Sequence, residues 1–91
     1  MRKIEEQMVE AIQEREPFIS GNTVVTEYEG GSQGVYLHGN LIASIVDYET
    51  HPYVPTLIKW PTRTTMSRLR ALGVDVCTRK GDVYLNGEVV A

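Results

Sequence analysis

Apolar residues recur along this chain with two periods, and the changes from one to the other mark its elements. Ile4, Met8, Ala11 and Ile12 fall at i, i+4, i+7 and i+8, one stripe of a helix running from Lys3 to Glu14. Glu5 and Glu6 stand in its first turn and Arg15 in its last, where the helix dipole favours them. Pro17 stops it, because a proline forces the preceding residue out of helical geometry.

Beyond Ser20-Gly21-Asn22 the pattern becomes β-branched and aromatic. Thr23 to Tyr28 reads as a strand that breaks at Gly30-Gly31, and Val35 to Leu37 pairs back on it. His38-Gly39 resembles the Asn-Gly of tight hairpins, which makes Leu41 to Val46 a third strand. Residues Asp47 to Pro61 hold Pro52, Pro55 and Pro61 and read as a connection, with a short edge strand at Thr56-Leu57-Ile58. Next, Thr62, Thr64 or Thr65 caps a helix with Met66, Leu69 and Leu72 on one face, and Gly73 ends it. Val74 to Arg79, a turn at Lys80-Gly81, Val83 to Leu85, a turn at Asn86-Gly87 and Glu88 to Val90 form a second three-stranded meander.

The order is therefore αβββ, connection, αβββ. Val35-Tyr36-Leu37-His38-Gly39-Asn40-Leu41-Ile42-Ala43 and Val83-Tyr84-Leu85-Asn86-Gly87-Glu88-Val89-Val90-Ala91 are alike residue by residue, which suggests a pseudo-repeat. Any well-made hairpin tends toward this alternation, so the likeness speaks first of construction, and His38, Asn40, Asn86 and Glu88 are where the copies differ. The expected fold is α+β. Two αβββ units (1–47 and 63–91, joined by 48–62) form a mostly antiparallel sheet packed by two helices in a single domain over 1–91. The halves should pack on each other, and an intertwined or edge-paired homodimer would also cover the exposed faces.

Composition narrows the class. Ninety-one residues with 42% hydrophobic and 23% charged content describe one soluble globular domain. The single cysteine, Cys77, excludes an internal disulfide and points to a reducing, cytoplasmic setting. No apolar run approaches a membrane span, and the first residues do not read as a secretion signal. The net charge of −3 hides a division: residues 1–49 carry nine acids and three bases, residues 50–91 six bases and three acids.

All six of those bases, Lys59, Arg63, Arg68, Arg70, Arg79 and Lys80, lie within 22 residues, with Trp60 beside the first. Arginines on a helix could meet phosphates and Trp60 could stack on a base. Arg63 and Arg70, seven apart, share a helix face, whereas Arg68 points about 160° away from Arg70, so one arginine is expected to serve the fold by pairing with a glutamate of the first helix. Glu6, Glu10 and Glu14 form an acidic ridge at i+4 spacing, suited to a basic partner. The hydroxyls from Thr62 to Ser67 could hold an anion at a helix start, although capping needs one of them in any case. Asp47, Glu49 and His51 alternate as metal ligands on a strand would, yet three ligands on one strand rarely suffice, and no metal or cofactor is expected. Cys77 with His38 or His51 could form a nucleophile and base, but its alternating strand favours burial. No catalytic constellation emerges.

Lys3-Ile4-Glu5, Gln7-Met8, Gly21-Asn22-Thr23, Val35 to Asn40, Ile42-Ala43, Thr64 to Leu69 and Arg79-Lys80-Gly81 together resemble a pattern of small uncharacterised accessory proteins of tailed bacteriophages. The resemblance implies no activity and no site residue. It implies a role in binding and redirecting or inhibiting a host component. The expectation is a non-enzymatic protein that binds a host protein in the host cytoplasm, the alternative being a nucleic-acid-binding protein that uses the basic second half.

Overall fold

A computed structural model describes residues 2–91 and shows an α+β fold with antiparallel sheets. Helix α1 (Lys3–Gln13) precedes strands β1 (Phe18–Ser20), β2 (Thr23–Glu27), β3 (Gln33–Leu37), β4 (Asn40–Val46) and β5 (Glu49–Pro52). Helices α2 (Val54–Lys59) and α3 (Arg63–Ala71) follow, then β6 (Val76–Arg79), β7 (Asp82–Leu85) and β8 (Glu88–Val89). The strands divide between two sheets, β1 to β5 in a five-stranded meander and β6 to β8 in a three-stranded one.

The five-stranded sheet turns one face inward. Val25, Val35, Leu37, Ala43 and Ile45 on that face join Met8 and Ile12 of α1, Leu57 of α2, Met66 and Leu69 of α3, and Val76 and Val83 of the smaller sheet in one core. The opposite face carries the cross-strand row Ile19, Val24, Tyr36 and Leu41, partly or largely exposed. α1 packs on β1, β2 and α3, α2 on β4, and α3 also on β4 and β6.

Three expectations are corrected. Arg15 is not in the last turn of α1. The helix ends at Gln13, and Arg15 adopts φ 55° beyond it, with its N–H bonded to the Ile12 carbonyl and that of Glu16 to the Ala11 carbonyl. This is a Schellman ending, built on arginine where glycine is usual. The same ending closes α3 on Gly73, at φ 88°.

Residues 56–58 form no strand. They belong to α2, with Pro55 in its first turn, where a missing N–H costs nothing because that donor has no acceptor within the helix. Thr56 and Leu57 face the core. The connection also holds β5, reached through a two-residue turn at Asp47-Tyr48 with φ 50° and 64°. Two elements, β5 and α2, thus stand where a plain connection was expected, giving three helices where two were expected, and β1 extends the sheet on its other side.

The two matching nine-residue segments adopt the same hairpin. His38-Gly39 (φ 51° and 79°) and Asn86-Gly87 (φ 53° and 81°) both form the two-residue turn with left-handed residues that suits the twist of paired strands. The likeness continues past the turn. Tyr36 pairs with Leu41 but Val35 with Ala43, so Ile42 is an extra residue, a β-bulge. Likewise Tyr84 pairs with Val89, and Val83 is opposed by two residues, accepting from Val90 N–H and donating to Ala91 O, each at 2.8 Å. The two aliphatics and alanine that end each segment thus occupy a bulge. The first hairpin is central and its bulge is buried, whereas the second lies at the chain's end with Val89 and Ala91 exposed.

Candidate functional site

The segment Trp60-Pro61-Thr62-Arg63 leaves α2 and enters α3 between two depressions, and its residues alternate between them. Trp60 and Thr62 line one; Pro61 and Arg63 line the other.

The first depression is apolar, about 230 Å³ in volume, with Leu37 and Ile42 among its lining residues. The bulge provides this lining, since the extra residue lets both Ile42 and Ala43 turn inward, and Ile42 O also accepts the Tyr53 N–H at the start of α2. Thr56, Thr62 and Thr65 complete the lining, with His38 and Asn40 from the hairpin tip and Trp60 from the end of α2. Trp60 is 43% exposed, and the Lys59 ammonium lies 4.8 Å from its ring centroid, within cation–π range. Cofactor and drug-sized ligand sites occupy roughly 300–1,000 Å³, so this cavity suits one inserted side chain.

The hairpin tip is tied to the core. Asn22 Nδ2 lies 3.4 Å from His38 Nε2, Thr23 Oγ1 donates to Asn22 Oδ1 at 2.9 Å, and Arg68 Nε donates to Thr23 Oγ1 at 3.1 Å. Arg68 Nη1 then donates to Glu5 Oε2 at 2.6 Å, with the pair almost fully buried. Ser67 Oγ and the Arg2 N–H also donate to this carboxylate. Burial by itself would raise the Glu5 carboxyl, but these hydrogen bonds and the Arg68 charge outweigh it and hold the group below its ordinary value. Arg68 is thus the arginine that serves the fold, and it is absent from the basic surface.

The remaining basic candidates divide. Arg63 and Arg70 line the second depression together with Arg2, which sequence reasoning left out because it lies 61 positions from Arg63. Lys80 sits in the left-handed turn between β6 and β7, and Arg79 lies over the Tyr84 ring at 5.9 Å. Glu6, Glu10 and Glu14 are exposed along α1, and among the described residues the only ion pair is Glu5 with Arg68, so the ridge stays single-signed. Asp47 occupies a turn while Glu49 and His51 are exposed on β5, and among the described residues no three such side chains gather as a metal site. Cys77 is half-buried on β6, opposite Tyr84, in the sheet that contains neither histidine.

Leu37, Ile42 and Thr56 were missed as site residues. Their one sequence signal is the pair of adjacent aliphatics after Asn40, which breaks strand alternation where a bulge forms.

The architecture defines a small α+β protein among whose described residues no helix is long and apolar enough to cross a membrane. Over residues 1–90 the chain matches the family described as Kyanoviridae Gp96 protein, and it belongs to that family: it is a small phage protein. No match was found among curated proteins, and none among solved structures.

Proposed function

We propose that this phage protein is a non-enzymatic accessory protein that docks on a host protein in the host cytoplasm, with a side chain of the partner entering the Trp60 cavity. The observation that carries this reading is the placement of a half-exposed tryptophan beside an apolar hollow sized for one side chain, with His38 and Asn40 on its rim. Tryptophan is enriched among residues that dominate binding energy, and such residues act in desolvated pockets surrounded by polar groups. The anchoring of His38 through Asn22, Thr23 and Arg68 supports it further, because a rim held in place loses little entropy on binding.

The test is affinity capture from host lysate with the wild-type chain and Trp60→Ala in parallel, circular dichroism establishing that both are folded. The expected result is one stoichiometric protein, retained by wild type and lost with Trp60→Ala. Recovery of no stoichiometric partner, or equal recovery by the variant, overturns the reading.

A further inference from the structure

On the other side of the Trp60–Arg63 segment, Arg2, Arg63 and Arg70 line a single depression along with Ser67 and Thr78, and no carboxylate lines it. Three elements supply them: Arg2 is the N-cap of α1, Arg63 and Arg70 begin and nearly end α3, and Thr78 lies on β6. Glu5, the acid nearest in sequence to Arg2, faces inward to Arg68, and among the described residues Arg2, Arg63 and Arg70 form no ion pair. Three like charges around one concavity repel, and an anion between them removes that cost.

Local structure prepares the site for such an anion. Arg70 Nε donates to the Val76 carbonyl at 2.9 Å, which fixes the guanidinium and leaves its terminal nitrogens as donors. Thr62 Oγ1 caps α3 by accepting the Thr65 N–H, while the N–H groups of Arg63 and Thr64, in the first turn, have no acceptor within the helix.

We infer that this depression is a binding site for a phosphoryl group. A tetrahedral dianion with three acceptor oxygens matches three arginines around one depression, two from α3 and one from the N-cap of α1, whereas one arginine already satisfies both oxygens of a carboxylate. The Ser67 hydroxyl proton is committed to Glu5, so the arginines and Thr78 provide the contacts. A single phosphoryl group fits better than a long polyanion, because α1 starts at this site and carries Glu6, Glu10 and Glu14 exposed along its length in a chain of net charge −3. The inference is independent of docking at Trp60.

The experiment is an NMR titration of the full chain with inorganic phosphate, read at the Arg63 and Thr64 amides and the arginine Nε–H signals, against sodium chloride of equal ionic strength. Saturable shifts with phosphate are expected, with an affinity in the millimolar range, and Arg63→Ala should weaken it about tenfold, the loss of one charge-assisted contact. Lys80→Ala should leave it unchanged. Arg70→Ala also removes the bond to Val76, so the decision rests on Arg63→Ala, whose guanidinium makes no hydrogen bond among the described residues. Equal shifts from chloride, or an unchanged affinity in Arg63→Ala, overturn the site. A second titration with a short single-stranded oligonucleotide identifies the source: tighter binding through the same amides assigns the phosphoryl group to nucleic acid, and weaker binding assigns it to a small phosphorylated molecule.

Discussion

Glu5 and Arg68 face each other across the junction of α1 and α3, oxygen to nitrogen at 2.6 Å, with only 3% and 4% of their side chains exposed. A buried pair adds little over apolar packing, but removing one partner strands the other charge. Arg68→Met should therefore destabilise the protein by about 3–5 kcal/mol. Glu5→Leu combined with Arg68→Met should recover most of that loss. Urea denaturation of the two singles and the double measures the coupling, and additive losses would mean that the pair does not act as a unit.

Acid should weaken the same contact. A carboxyl held below its ordinary value in the folded chain contributes stability at pH above the unfolded value, about 4.3 for glutamate, and the contribution is lost as pH falls through the folded one. The melting temperature should fall below about pH 5, and Glu5→Gln should show a shallower fall, starting from lower stability at neutral pH. Parallel acid limbs in the two proteins would assign the sensitivity elsewhere.

Arg15 and Tyr48 are both non-glycine residues at positive φ, and each steadies the other: Arg15 Nε donates to the Tyr48 hydroxyl at 3.0 Å and Arg15 Nη1 to the Gly31 carbonyl at 2.7 Å. Replacing Arg15 by alanine keeps the left-handed backbone and loses both contacts, so the urea midpoint should drop. Glycine loses the same contacts but adopts that backbone freely, so Arg15→Gly should be more stable than Arg15→Ala. The reverse order would mean that position 15 does not need left-handed geometry.

On the outer sheet face Tyr28 crosses buried Gly34 to reach Tyr36, the two hydroxyls forming a hydrogen bond. That bond, then partial burial and the neighbouring phenol, raise the Tyr28 hydroxyl above its ordinary value, so Tyr28 should ionise late in an alkaline absorbance titration. Tyr36→Phe should abolish the lag. Gly34→Ala should do the same, because a Cβ there would come within 2.9 Å of Tyr28 ring carbons and displace the ring. A lag that survives both changes would belong to another tyrosine.

Much of the fold could be read in the sequence where one local rule governs. The stripe of Ile4, Met8 and Ile12, the threonines before the helix with Gly73 after it, and the dipeptides at 38–39 and 86–87 each specify geometry within a few residues, and the structure holds the corresponding helices and turns, with Thr62 the cap among the three threonines the sequence offered. The departures occur where a distant contact decides. Asp47-Tyr48 carries no turn signature, and its left-handed tyrosine is held by Arg15 from 33 positions away. Pro55 looks like a breaker until Tyr53 N–H bonds the bulged Ile42 and places that proline in a first turn. The candidate sites share this property. That one arginine would pair with the first helix was foreseeable from helical phase, but the union of Arg2 with Arg63 and Arg70, and the hollow beside Trp60, exist only once α1, α2 and β4 have packed.

The bulge at Ile42 also bears on how the chain can change length. Elsewhere in β4 the loss of one residue would exchange inward and outward side chains for the rest of the strand. At position 42 it would not: with Leu41 outward and Ala43 already opposite Val35, a deletion leaves Ala43, Ser44 and Ile45 facing as they do now. The strand can shorten there at the expense of one aliphatic and the hollow it lines, so variation in chain length at this point would alter the surface beside Trp60 while sparing the sheet.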